Sequence, residues 1–182
     1  FIFAVITFPD HLDRKIRDNA LSRLHEAPED WFLSLNISPR WITLLRPGQP
    51  LPSLKQLQAH DIDPKRIVFE ITELGGDSQR LAEVVARYRQ AGARIAIDDF
   101  GAGFISLPFI STLNPDYIKI DRSLVLQAAA STEFRLFLAN FISALQANET
   151  YKIIGEGIET ERELEIMQGM NINLIQGFLL KD

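Results

Sequence analysis

Six apolar runs along the chain each stop at a residue able to bind a cation or carry a proton. They end at Asn36; at Glu70, followed by Glu73; at Asp98 and Asp99; at Lys119 and Asp121; at Glu156 and Glu159; and at Gln176. Leading residues are 34, 28, 21, 37 and 20 positions apart, about one strand-plus-helix unit each time. A single acid at a strand end is ordinarily a turn former or a helix cap. Six strand ends in succession point instead to one shared site.

Brought together, Glu70, Asp98, Asp99, Glu156 and Glu159 would crowd five carboxylates around one evident cation, Lys119. Like charges that close must take up protons or move apart. A divalent cation resolves the conflict. The available donors are all oxygen, with Asn36 as a neutral carbonyl ligand. There is no Cys, and His11, His25 and His60 all lie away from the strand ends. Hard oxygen donors favour Mg²⁺ or Mn²⁺ over Zn²⁺. Adjacent Asp98 and Asp99 suit a bridged pair of ions, and two ions about 3.5–4 Å apart are a common clamp for phosphodiester hydrolysis.

The elements that position these groups follow from the spacing of apolar residues. Phe32–Asn36, Ile67–Thr72, Arg94–Asp99, Tyr117–Asp121, Ile153–Glu156 and Ile172–Gln176 read as strands, apolar on both faces as buried parallel strands are. His11–Leu24, Ser78–Gln90, Glu133–Ala147 and Thr160–Met170 read as helices. Leu81, Val84, Val85 and Tyr88 share a face of the second. Phe134, Leu136, Phe137, Phe141 and Leu145 fall at three- and four-residue spacings in the third, and Leu164 and Met167 recur similarly in the last. Gly92 is placed as a helix-terminating residue, and Thr160 with Glu163 as a capping box. Alternating strands and helices predict an α/β fold with a parallel sheet. The expected architecture is a (βα)8 TIM-like barrel with six βα units visible and the first strands missing. The strand ends of such a barrel converge on one rim, where active sites are built.

Composition sets outer bounds. The chain has 182 residues, 46% of them hydrophobic and 24% charged, which fits one globular domain spanning 1–182 and excludes disorder, collagen and coiled coil. A net charge of −5 disfavours a nucleic-acid polymer as partner. No apolar run approaches the roughly 20 residues needed to cross a bilayer, and the absence of Cys fits a cytoplasmic location. Because the chain starts at Phe1, it reads as part of something longer. Asp99-Phe100-Gly101 is like the metal-binding triplet of protein kinases, but no Gly-rich phosphate loop, upstream strand lysine or His-Arg-Asp loop accompanies it. Gly101 and Gly103 match no dinucleotide fingerprint.

The full set of motifs resembles the EAL domain family. They are Leu35-Asn36-Ile37-Ser38, Phe69-Glu70-Ile71-Thr72-Glu73, Ile97-Asp98-Asp99-Phe100-Gly101-Ala102-Gly103, Ile118-Lys119-Ile120-Asp121-Arg122-Ser123, Gly155-Glu156-Gly157-Ile158-Glu159-Thr160 and Ile175-Gln176-Gly177-Phe178. This resemblance covers nearly the whole chain. It implies a bacterial cyclic-di-GMP phosphodiesterase with a (βα)8-type barrel. Asn36, Glu70 and Asp98 would hold a first metal ion, and Asp98, Asp99 and Glu156 a second. Lys119 would orient the attacking water, and Glu156 would serve as general base or metal ligand. Glu73 would brace the Asp99–Ser106 loop, Asp121 and Glu159 would support the network, and Gln176 would contact the nucleotide. Water would open one 3′–5′ phosphodiester bond to give linear pGpG. Cyclic-di-GMP is the implied ligand, with a homodimer through the loop and helix after Asp99 and fusion to sensory or GGDEF-type domains.

Three departures from the family pattern stand out. The Glu-Ala-Leu signature and the Arg shortly after it are expected upstream of Phe1, on the barrel's first strands. Residues 1–182 alone are therefore expected to be poorly soluble or partly unfolded, and inactive on cyclic-di-GMP. The loop after Asp99 carries Ala102, Phe104 and Ile105 where the family usually has polar residues, and Gly155 replaces a common Ala. The altered loop leaves open a catalytically inactive cyclic-di-GMP receptor or scaffold. An unrelated Mg²⁺-dependent barrel lyase is the remaining alternative, and the motif spacing opposes it.

Overall fold

Parallel strands linked by helices account for the sequence pattern. The computed structural model describes residues 10–37, 42, 45–46, 48–72, 78–102, 107–147 and 151–180. The chain divides into two units, one up to Ile95 and the other from Ala96.

The first unit contains α1 (Asp10–Leu24), β1 (Leu33–Ile37), α2 (Pro52–Ala59), β2 (Ile67–Thr72) and α3 (Ser78–Gln90). β1 and β2 pair in parallel, with Asn36 opposite Glu70. Pro52 opens α2, where its missing N–H costs nothing. Asp63 accepts a hydrogen bond from the Lys65 N–H at 2.9 Å and turns the chain into β2. α3 ends as the glycine predicts. Gly92 adopts φ 99°, its N–H reaches the Arg89 carbonyl, and the Ala93 N–H reaches that of Tyr88. Leu81, Val84, Val85 and Tyr88 are all buried. The Tyr88 ring lies 4.0 Å from that of Phe69, and its hydroxyl sits 2.5 Å from the Ser53 Oγ. Burial pushes the Tyr88 phenol up to about 12, with the Ser53 hydrogen bond and the charges of Arg17 and Arg87 opposing it.

The second unit holds β3 (Arg94–Phe100, from Ala96 on), α4 (Leu107–Leu113), β4 (Tyr117–Ile120), α5 (Arg122–Ala130), α6 (Thr132–Gln146), β5 (Lys152–Glu156), α7 (Glu161–Gly169) and β6 (Leu174–Gln176). β3, β4, β5 and β6 pair in parallel in sequence order, the signature of successive βα units. Asp121 caps α5 by accepting from the Ser123 N–H at 2.9 Å. Ser131 caps α6 by accepting from the Phe134 N–H at 3.1 Å. Thr160 and Glu163 form the anticipated capping box on α7.

Two features of the helices go beyond the sequence reading. The buried stripe of α6 is Leu138, Ile142 and Leu145, at i, i+4 and i+7. Leu136 and Phe137 are 62% and 66% exposed, because they project about 160° and 100° around the helix from Leu138. The short helices α2, α4 and α5 were not anticipated, since each spans fewer than ten residues and shows no sustained apolar period. Strand limits otherwise differ by one or two residues from the sequence expectation, ordinary scatter at element ends.

Candidate metal centre

The C-terminal ends of the strands carry the polar groups. In the first unit, the parallel register sets Asn36 on β1 beside Glu70 on β2. Glu70 is fully buried. Glu73 lies outside the described residues, as do positions 103–106 of the loop after Asp99.

The second unit builds a charged cluster. Lys119, near the end of β4, is 0% exposed, and Asp98 on β3 is 6% exposed. The Lys119 ammonium donates to Asp98 Oδ1 at 2.7 Å and contacts Glu156 Oε1 at 2.6 Å. A lysine buried this deeply needs such partners, because an isolated ammonium would lose its proton. Asp98, Asp99 and Glu156 each offer a carboxylate oxygen, and all three oxygens lie within 4.8 Å of one another.

Two neighbours in a regular strand point to opposite faces, so Asp98 and Asp99 should diverge. β3 breaks the rule at this point. Ile97 pairs with Ile118 and Phe100 with Ile120, three steps on one strand against two on the other. The extra residue is a bulge, and Asp99 takes up the distortion with φ 54°. Aspartate is among the few non-glycine residues that tolerate that region. The turn is fixed on both sides. The Ala102 N–H donates to the Asp99 carbonyl at 3.1 Å, and the Asp121 N–H to the Phe100 carbonyl at 3.0 Å. Gly101 follows with φ 99°, and any Cβ there would overlap the Leu124 side chain of α5. Partial burial, then the charges of Asp98 and Asp121, push the Asp99 carboxyl above the usual carboxylate range, with Lys119 opposing.

This donor set fits a hard divalent cation: three carboxylates converge with one ammonium among them, and the like-charge strain on Asp99 is what a cation would relieve. Gln176 stands opposite Glu156 in the β5–β6 register, and its buried Oε1 has no hydrogen-bond partner among the described residues.

Glu159 departs from the expected crowd of acids. It is exposed and pairs with Arg122, whose Nη2 donates to Glu159 Oε2 at 2.6 Å. Arg122 is therefore a second cation that charge counting along the sequence overlooked. Its position directly after Lys119-Ile120-Asp121, two residues past the end of β4, was the available signal.

The family model for the EAL domain matches residues 8–182, and the chain belongs to this family. The chain is 29% identical over 153 residues to a Pseudomonas aeruginosa protein, the bifunctional diguanylate cyclase/cyclic di-GMP phosphodiesterase MucR, covering 83% of this chain and 22% of the relative. It superposes with a TM-score of 0.79 and 31% identity on the Bacillus subtilis YkuI protein, solved with an EAL domain in complex with cyclic-di-GMP and calcium. That match covers 94% of this chain and 42% of the other. A Klebsiella pneumoniae protein in complex with manganese and cyclic-di-GMP gives 0.79 at 27% identity, over 92% and 43%. The fold is thus the parallel α/β barrel type of EAL domains. The chain spans about a fifth of the length of MucR and less than half of either solved protein.

Proposed function

We propose that residues 1–182 belong to an EAL-type domain that, in the full-length protein, hydrolyses cyclic-di-GMP to linear pGpG. The observation that carries this reading is the Asp98–Asp99–Glu156 cluster keyed to a buried Lys119. Its donors match the divalent ions found with cyclic-di-GMP in the two solved relatives.

Asn36, Glu70, Asp98, Asp99 and Glu156 are the proposed ligands of two ions, Mg²⁺ or Mn²⁺. When bound, these ions stabilise negative charge on the phosphate and lower the pKa of water. The chain's residues do the rest. Lys119 holds Asp98 and Glu156 in place and orients the attacking water beside them. The Glu156 carboxylate accepts the proton of that water. Oxygen adds to phosphorus, the P–O3′ bond breaks, and the departing O3′ takes up a proton. Gln176 offers its side-chain amide to the nucleotide. Glu73 braces the loop after Asp99, while Asp121 and Glu159 steady the surrounding turns. A homodimer through that loop and α4, a cytoplasmic location and fusion to sensory or GGDEF-type domains complete the proposal; the bifunctional name of MucR supports the last.

Ala102, exposed beside Gly101 in a loop that the family usually makes polar, favours a second reading: a receptor that binds cyclic-di-GMP without cleaving it. One experiment separates the two. The full-length protein is incubated with cyclic-di-GMP and Mg²⁺ or Mn²⁺, with and without excess chelator, and pGpG is quantified. The enzyme reading expects product only with Mg²⁺ or Mn²⁺ and inhibition by Ca²⁺. Glu156→Gln should abolish turnover and keep nucleotide affinity within a few-fold. Binding without product supports the receptor, and full activity in chelator sinks the metal-dependent mechanism.

A further inference from the structure

We propose that Arg122 is a positioning residue for the metal centre: it clamps the turn after Glu156 and so fixes where that carboxylate sits. The inference rests on the metal-dependent reading above and concerns a residue that reading does not use.

The turn Glu156-Gly157-Ile158-Glu159 leaves β5 and enters α7. Arg122 grips it in two ways. Its aliphatic stem lies directly against Gly157, where an added Cβ would come within 2.8–2.9 Å of the Arg122 Cδ, Cβ and Cγ. Gly157 also has φ 65°, so both the backbone and the space require glycine. Beyond the stem, the guanidinium reaches Glu159, with Nη2 at 2.6 Å from Oε2, while Nη1 is 3.9 Å from Glu163 Oε2. Glu163 in turn accepts from the Glu159 and Thr160 N–H groups at 2.8 and 3.1 Å. The far side of the turn is held by backbone hydrogen bonds. The Ile158 N–H donates to the Gln176 carbonyl at 3.1 Å, and the Leu179 N–H to the Ile158 carbonyl at 3.0 Å.

Arg122 is well placed for this because it is three residues from Lys119. Lys119 holds the Glu156 carboxylate from inside the cluster, and Arg122 holds the backbone behind it from outside. Both ties run from the β4–α5 segment to the β5–α7 segment. A metal ligand restrained at its carboxylate and at its following turn keeps its direction when a cation competes with Lys119 for the same oxygen. Groups that orient ligands in this way commonly change metal affinity by about 10- to 100-fold when removed.

The test uses full-length protein carrying Arg122→Met, which keeps most of the stem under Gly157 and removes the charged head. Mn²⁺ binding is titrated by electron paramagnetic resonance without nucleotide, and steady-state kinetics are measured separately. The expected result is about tenfold weaker Mn²⁺ binding, lower kcat, and a KM for cyclic-di-GMP within about twofold. Glu159→Gln should reproduce the Mn²⁺ loss, and the double variant should lose no more than either single one, because both act through one contact. Arg122→Lys should recover part of the affinity. The metal-free thermal midpoint should move by no more than about 3 °C, since the pair is a third exposed or more. Wild-type Mn²⁺ affinity in Arg122→Met, or losses in the two single variants that simply add, would overturn the proposal. Wild-type protein that neither binds Mn²⁺ nor opens cyclic-di-GMP would overturn the functional reading beneath it, a result distinct from any variant effect.

Discussion

Replacing Lys119 with Met isolates what the buried ammonium contributes. Methionine matches the length of the stem, so packing is largely kept and the charge is lost. In the native cluster the ammonium lies 2.7 Å from Asp98 and 2.6 Å from Glu156. At an effective dielectric of about 20, each contact carries roughly 6 kcal/mol of Coulomb attraction before desolvation is subtracted. Most of that offsets the cost of burying three charges. Removing one partner of a buried ion pair typically costs about 3–5 kcal/mol, because the charges left behind are uncompensated. Asp98 and Glu156 would then face each other with Asp99 alongside and no cation between them. The expected outcome is a metal-free variant destabilised by about 3–5 kcal/mol in urea unfolding. Divalent cation should rescue it. Mn²⁺ at a hundred times its dissociation constant returns about 2.7 kcal/mol by linkage, and that constant should be lower in the variant, because no ammonium competes for the oxygens. Turnover should remain lost even in the metal-rescued protein. Metal-free stability equal to wild type, or a rescue no steeper than wild type, would refute the view that Lys119 occupies a site built for cations.

Three further outcomes follow from contacts described above. Gly177→Ala would drive a Cβ into the backbone of Ile158, and should destabilise the protein by more than about 2 kcal/mol in thermal unfolding. Tyr88 has its phenol pKa raised from 10.0 to about 12, so its contribution is complete below pH 10 and is lost as pH rises through 12. Tyr88→Phe should flatten that alkaline loss while costing about 1 kcal/mol at neutral pH for the missing Ser53 bond, measured by urea midpoints at pH 8 and 11. Burial would raise the Glu163 pKa, but the N–H groups of Glu159 and Thr160 and the nearby Arg122 outweigh it and hold it low. Its stabilising effect is therefore present above the usual carboxylate pKa and lost as pH falls through the lowered value, so Glu163→Gln should be less stable at pH 7 and less acid-sensitive below pH 4.

The strands and their terminal acids were legible because burial on both faces leaves a dense apolar run, and a polar residue that ends such a run stands out. Thr160 with Glu163 and Gly92 were legible because each solves a local problem of unpaired backbone groups. The packing side of α6 was not. Phe134, Leu136, Phe137, Leu138, Phe141, Ile142 and Leu145 surround that helix with apolar residues, so periodicity does not select one stripe. Arg122 was marked only by its place after a strand end, because its meaning comes from Glu159, 37 residues away, across a turn whose shape depends on Gly157. The meeting of Asp98 with Asp99 was anticipated from their chemistry, whereas the bulge that permits it left no mark in the residue types.

That bulge also determines which kinds of mutation the acidic pair can survive. Three steps on β3 against two on β4 mean that side-chain direction here is set by the number of residues, not only by their identity. Substitutions nearby leave the count intact. A single-codon deletion between Ile97 and Phe100 would instead remove one of the two acids outright and let the ladder run straight, so that no second carboxylate could be restored beside the first. Alleles that lose one residue in this stretch should therefore be far rarer than alleles that change one.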